Sequence, residues 1–175
     1  GSPHGVYEDH PWIPTVSQLI NDIYNANMPI FGVCFGHQLI AQALGGRVEK
    51  SIKGWGLGLH TYEINNKADY MGNLSEEVTL NICHQDQVLE VPEGATIYAR
   101  SQFCENAGFY IKDKVLTMQA HPEFLVDFIK ALLNARRDIT IPKEFVDPAL
   151  VKLNSYPDTV QSNQFAETIR KFFSS

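Results

Sequence analysis

The sequence predicts an α/β protein, and three observations carry that expectation. Met28 to Gly46 (MPIFGVCFGHQLIAQALGG) passes from a strand-length apolar run, Met28 to Val33, into Ile40, Ala43 and Leu44 at helical spacing. Short runs of strand character follow Gly46, bounded by turn residues. Helical periodicity brackets them, with Trp12, Val16, Leu19, Ile20 and Ile23 before and Phe124, Phe128, Ile129, Leu132 and Leu133 after. At 175 residues, 44% of them hydrophobic and 19% charged, the chain is expected to form a single domain over residues 1–175 with a substantial core.

Residues 1–14 (GSPHGVYEDHPWIP) are turn-rich, and Gly1-Ser2-Pro3 ahead of Val6-Tyr7 reads as a loop presenting backbone N–H groups. A helix is expected from about Thr15 to Tyr24, broken by Asn25-Ala26-Asn27. Gly45-Gly46 closes the next helix, because glycine tolerates the left-handed conformation usual just past a C-terminus. Strands are expected at 47–50, 59–64, 77–83, 95–100, 108–111 and 115–119, with Asp113-Lys114 as a hairpin turn. Gly54, Gly56 and Gly58 around Trp55 read as a loop, and no helical pattern follows them to make a phosphate cradle. The helix after Phe124 ends at Arg136-Arg137, where cations suit the dipole. Leu150 to Leu153 is weakly patterned, and Pro157 opens a last helix whose Phe165, Ile169 and Phe172 face the core.

A net charge of −6 without a basic stripe argues against nucleic-acid binding. No apolar run reaches the ~20 residues that span a bilayer, and no signal peptide is evident, so no membrane association is expected. Cys34, Cys83 and Cys104 are odd in number and widely spaced, which favours free thiols in a reducing cytoplasm.

Cys34 sits between Gly32 and Gly36 in a Gly-x-Cys-x-Gly pattern, the cysteine form of the tight turn that lifts a nucleophile clear of a parallel sheet. Small residues are expected on both sides of that turn, and the helix N-terminus is expected to favour the thiolate. A thiol nucleophile needs a base and a group that orients the base. His121 and Glu123, two residues apart at the end of the strand 115–119, supply both, since residues i and i+2 of an extended segment point the same way. The Phe35 N–H is placed to donate to a developing oxyanion. Gln38, one helical turn after Cys34, points an amide toward the attacked group. Bland readings stand beside these: a buried inert Cys34, a solvated Gln38, and a surface turn at His121-Pro122-Glu123.

The sequence GVCFGHQ around Cys34, the HPE at His121 to Glu123, and CHQDQV between them together resemble the triad-type class I glutamine amidotransferases over nearly the whole chain. The resemblance implies a doubly wound α/β fold with a mostly parallel sheet flanked by helices. It implies that Cys34 attacks the side-chain amide of glutamine, with a γ-glutamyl thioester formed and ammonia released with a proton from His121. Gly1-Ser2-Pro3 falls on the oxyanion segment, which makes the Ser2 N–H the second donor. Gln38 falls on the glutamine-binding position, and Gln85 and Asp86 fall on the loop holding the α-amino and α-carboxylate groups. His84 matches that loop's histidine, with a structural, hydrogen-bonded role as the alternative. Gln85 and Asp86 also read as ordinary turn formers. The family's first strand, helix and second strand are not in this sequence, so an N-terminally incomplete fold is expected. No cofactor and no metal is expected.

The substrate is then L-glutamine, with an ammonia-accepting synthetase as partner, or a γ-glutamyl peptide cleaved by the same triad, because FGHQ and CHQDQVLEVPEGA resemble a standalone branch that includes γ-glutamyl peptide hydrolases. A non-catalytic amidotransferase-like scaffold is the remaining alternative.

Overall fold

In a computed structural model the described residues are 1–155 and 161–174. Helix α1 spans Trp12–Asn25, beginning at the first residue of its apolar repeat and earlier than the expected Thr15. Pro14 is tolerated there because the first turn of a helix has no intrahelical use for its N–H groups. Asn27, at φ 57°, ends the segment before strand β1 (Ile30–Val33). Helix α2 (Phe35–Ala43) follows Cys34 directly, and Gly45 past its end takes φ 93° as expected. Strands β2 (Arg47–Lys50), β3 (Gly56–Ile64), β4 (Glu77–His84), β5 (Asp86–Glu90), β6 (Thr96–Arg100), β7 (Gly108–Ile111) and β8 (Val115–Met118) come next, then helices α3 (Val126–Arg136), α4 (Lys143–Ser155) and α5 (Ser162–Phe172). The expected opening of the last helix at Pro157 lies outside the described residues.

The main sheet has the order β1-β8-β7-β6-β3-β4, and β2 pairs with β5 in a small separate sheet. The α/β class holds, while the expectation of a mostly parallel sheet does not. Only β1 and β8 run parallel; every other neighbouring pair among the described strands is antiparallel. The connections explain it. Short links such as the turn 112–114 between β7 and β8 can only reverse the chain, whereas β1 and β8 are separated by a long excursion through the sequence.

Helices cover both faces of the sheet. In β8 the alternate residues Leu116 and Met118 share a core with Phe165 and Phe172 of α5. Val115, on the other face, packs with Ile13 and Ile20 of α1 and Leu39 and Ile40 of α2. A third cluster joins Leu57 and Leu59 of β3 to α3 and α4. Gly56, expected in a loop, instead opens β3. A Cβ there would stand 2.6 Å from Ile82, so the glycine serves close packing. Helix α4 has little sequence signal because Pro148 lies inside it; Val146, Ala149 and Leu153 hold it against β3.

Candidate active site

The turn at Cys34 is strained as well as tight. Cys34 adopts φ 51° and ψ −104°, a region that costs a non-glycine residue about 1–3 kcal/mol. It is held there by the N–H it donates to Met118 O at 2.9 Å and by its own carbonyl, which accepts from Gln38 N–H at 3.1 Å. A Cβ at Gly32 would lie 2.8 Å from the backbone of Gly36, so Gly32 is required by space. Gly36 is not: a Cβ there meets nothing within 4 Å. The expected need for small residues on both sides therefore reduces to one side.

Burial reverses the expectation of a favoured thiolate. Cys34 is 8% exposed, and its desolvation, with the nearby Cys83, pushes the thiol up to about 12, against a hydrogen bond from the Phe35 N–H that lowers it. At neutral pH the resting sulfur is a neutral thiol.

Because β1 and β8 are parallel, with Val33 opposite Met118, Cys34 and His121 both leave the sheet at its carboxyl edge. His121 is buried, and its Nδ1–H donates to Glu123 Oε1 at 2.6 Å. Burial raises the Glu123 carboxyl, but the hydrogen bonds from His121 and from its own backbone outweigh it and the net shift is downward. An ionised Glu123 can only accept, which fixes the proton on Nδ1 and leaves Nε2 as the basic atom of the ring. The reach from His121 to Glu123 comes from a turn, not from the extended segment expected: β8 ends at Met118, and His121 makes an isolated bridge to Asn81 of β4.

Asn81 clamps that turn from both ends. Its carbonyl accepts the His121 N–H at 2.8 Å, and its Nδ2 donates to Phe124 O at 3.0 Å. Phe124 in turn stacks flat on the His121 ring, with centroids 3.8 Å apart and planes 5° from parallel. Sequence reasoning passed over Asn81 and read Phe124 only as the first apolar position of the following helix, which starts at Val126. The available signal was a fully buried asparagine inside the apolar run of β4.

A cavity of about 370 Å³ opens beside Cys34, with Ser2, Phe35, Gln38, His84, Gln85 and Asp86 in its wall; His121 does not line it. A volume of this size suits a small ligand. Gln38 is nearly buried, and its amide nitrogen donates to Asp86 O at 2.9 Å and Gln119 Oε1 at 3.1 Å. Both N–H bonds are thus taken by protein acceptors, and Gln38 acts on the cavity by anchoring the segment at Asp86. His84 does the same: its Nδ1–H donates to Asp86 O at 2.9 Å. Burial pushes the His84 ring down to about 3, against the effect of that bond, so the ring is neutral, in keeping with the structural alternative. Gln85 precedes β5, and its carbonyl accepts from Ser51 N–H.

Tyr7, in the first loop, is a further wall residue. Burial and its hydrogen bond to Asp86 raise the phenol to about 12. Desolvation raises the Asp86 carboxyl, opposed by Tyr7 and Lys50. Gly5 makes room for the pair, since a Cβ there would lie 2.6 Å from the Tyr7 ring and 2.9 Å from Asp86 Oδ2.

Fold and site together describe an α/β protein with a cysteine elbow and a cavity at the carboxyl edge of its parallel strands. Residues 2–130 match the glutamine amidotransferase class-I family. γ-Glutamyl peptidase 3 of Arabidopsis thaliana is 35% identical over 159 residues, covering 85% of this chain and 63% of the relative. γ-Glutamyl peptidase 4 of the same plant is 40% identical over 134 residues, covering 74% and 53%. A glutamine amidotransferase structure from Thermotoga maritima superposes with a TM-score of 0.84 at 23% identity, covering 100% of this chain and 76% of that one, and so shares the fold. The chain belongs to the class I glutamine amidotransferase family. It spans 53% to 63% of the length of these two plant relatives. No described helix is long and apolar enough to cross a membrane.

Proposed function

We propose that this chain hydrolyses γ-glutamyl amide bonds with Cys34 as nucleophile, His121 as base and Glu123 as the group that orients it. The observation that carries the reading is the strained elbow at Cys34, open to the cavity, beside the strand β8, which leads into a turn whose His121 is held by an ionised glutamate. Because the resting sulfur is a thiol, the first step moves its proton to His121 Nε2 as Sγ attacks the carbonyl carbon. The oxyanion lies against the N–H groups of Phe35 and Ser2, both in the cavity wall. The C–N bond breaks, the leaving amine takes the proton from His121, and a γ-glutamyl thioester remains on Cys34. Water, deprotonated by the same ring, then releases glutamate. The segment Gln85-Asp86 holds the glutamyl end of the substrate, positioned by Gln38 and His84.

The two plant relatives named γ-glutamyl peptidases favour a γ-glutamyl peptide as substrate. Glutamine, with ammonia passed to a synthetase partner in the cytoplasm, is the second reading and uses the same thioester. Glutamate release from L-glutamine and from a γ-glutamyl dipeptide, measured side by side with Cys34→Ala as background, tests both. Faster release from the dipeptide supports the peptidase, and faster release from glutamine supports the ammonia-supplying enzyme. Release from both substrates at the Cys34→Ala rate rejects the mechanism.

A further inference from the structure

The turn-rich start of the chain carries a cluster that the amide chemistry does not use. His4 Nδ1 and His10 Nε2 converge on one carboxylate oxygen, Glu8 Oε2, at 3.2 Å and 3.1 Å. The three ligand atoms all lie within 4.8 Å of one another. Adjacent ligand atoms of a tetrahedral zinc site, with bonds of about 2.0–2.1 Å, stand roughly 3.3 Å apart. Both imidazole-to-carboxylate distances already match that spacing. Two imidazole nitrogens and a carboxylate oxygen, without a thiolate, form a donor set suited to a borderline divalent transition ion.

We propose that His4, Glu8 and His10 bind one such ion, represented by Zn²⁺, at the lip of the cavity. Three protein ligands leave a fourth position for water, and the side chains are 31–42% exposed, so an ion reaches them without opening the fold. The ligands are already oriented by outer contacts. Glu8 Oε1 accepts the Gly5 N–H at 2.8 Å, leaving Oε2 for the ion. The His10 ring stacks on Trp12, which packs against Phe35, and the His4 N–H donates to Ser2 Oγ at 3.0 Å. The site is therefore tied to the two residues proposed to hold the oxyanion. His4 and Glu8 also line the cavity, so the bound ion stands at its entrance.

The test is calorimetric titration of the untagged chain with ZnCl2, repeated on His4→Ala, His10→Ala, Glu8→Gln and Cys34→Ala. The first three side chains are 31–42% exposed, and circular dichroism checks that the variants remain folded. One equivalent is expected, with affinity lowered at least about tenfold by each of the first three changes and left unaltered by Cys34→Ala. Absence of uptake by the parent chain overturns the proposal. So does uptake that survives His4→Ala and His10→Ala but is lost with Cys34→Ala, which would place the ion on the thiol.

Discussion

Two buried cysteines contrast the proposed site with the packed core. Cys34 and Cys104 are both shielded from water, and burial pushes both thiols up to about 12. What separates them is backbone and access. Cys104 donates its N–H to Ser101 Oγ in an ordinary turn and sits in the core with Tyr62 and Phe165. Cys34 occupies a strained conformation between a strand and a helix, lines the cavity, and shares the sheet's carboxyl edge with His121. The proposed nucleophile thus differs from Cys104 in where the backbone puts its sulfur, since the acidity of the resting thiol does not distinguish the two.

The sharpest break of that comparison is the exchange of each thiol for alanine. Cys34→Ala is expected to reduce glutamate release to background with the melting temperature nearly unchanged. Cys104→Ala is expected to keep turnover and lose about 1 kcal/mol of stability through the small cavity it leaves. An active Cys34→Ala protein would remove the distinction. Next in size, Glu123→Ala should lower kcat by less than His121→Ala does, because the orienting group matters less than the base itself. Equal losses in the two would show that Glu123 does more than orient. Asn81→Ala loosens the turn that carries His121, and a displacement of this kind costs up to about a hundredfold in kcat with KM little changed. Rescue by Asn81→Asp, which retains an acceptor and loses the Nδ2 donor, would show that the contact to Phe124 is dispensable.

The same contrast has a pH dependence. Burial pushes His37 and His84 down to about 3 from 6.5, so the unfolded chain takes up protons that the folded one refuses. Their contribution to stability is present above pH 6.5 and is lost as pH falls toward 3. Each ring should cost about 2 kcal/mol between pH 6.5 and pH 5. A melting temperature that holds steady across that interval would mean that one or both rings are protonated in the native state. The smallest effect belongs to the elbow's second glycine. Gly36→Ala should leave stability unchanged or raise it by up to about 1 kcal/mol, as read by urea unfolding, whereas Gly32→Ala should lower it.

Much of the local design was legible in the sequence, because it depends on residues close together in the chain. Periodicity marked α1, α2 and most strands; the Gly-x-Cys-x-Gly pattern marked the elbow, and the residues singled out for binding do line one cavity. The pair His121–Glu123 was legible for the same reason, although a turn brings them together instead of a strand. Helix α4 and the start of β3 were not, since Pro148 and Gly56 carry the wrong local signal and only packing against β3 and Ile82 resolves it.

What the sequence by itself determined, then, was the order of most elements, β5 and α4 excepted, and the candidate residues for the proposed chemistry. The tertiary structure alone decided which strands run parallel, which carbonyl Gln38 and His84 hold, and how Asn81 clamps the histidine turn. It also decided that Cys34 rests as a thiol. The physical reason is common to all of these. Pairing direction, hydrogen-bond partner and desolvation are properties of atoms far apart in the chain, and no local pattern encodes them.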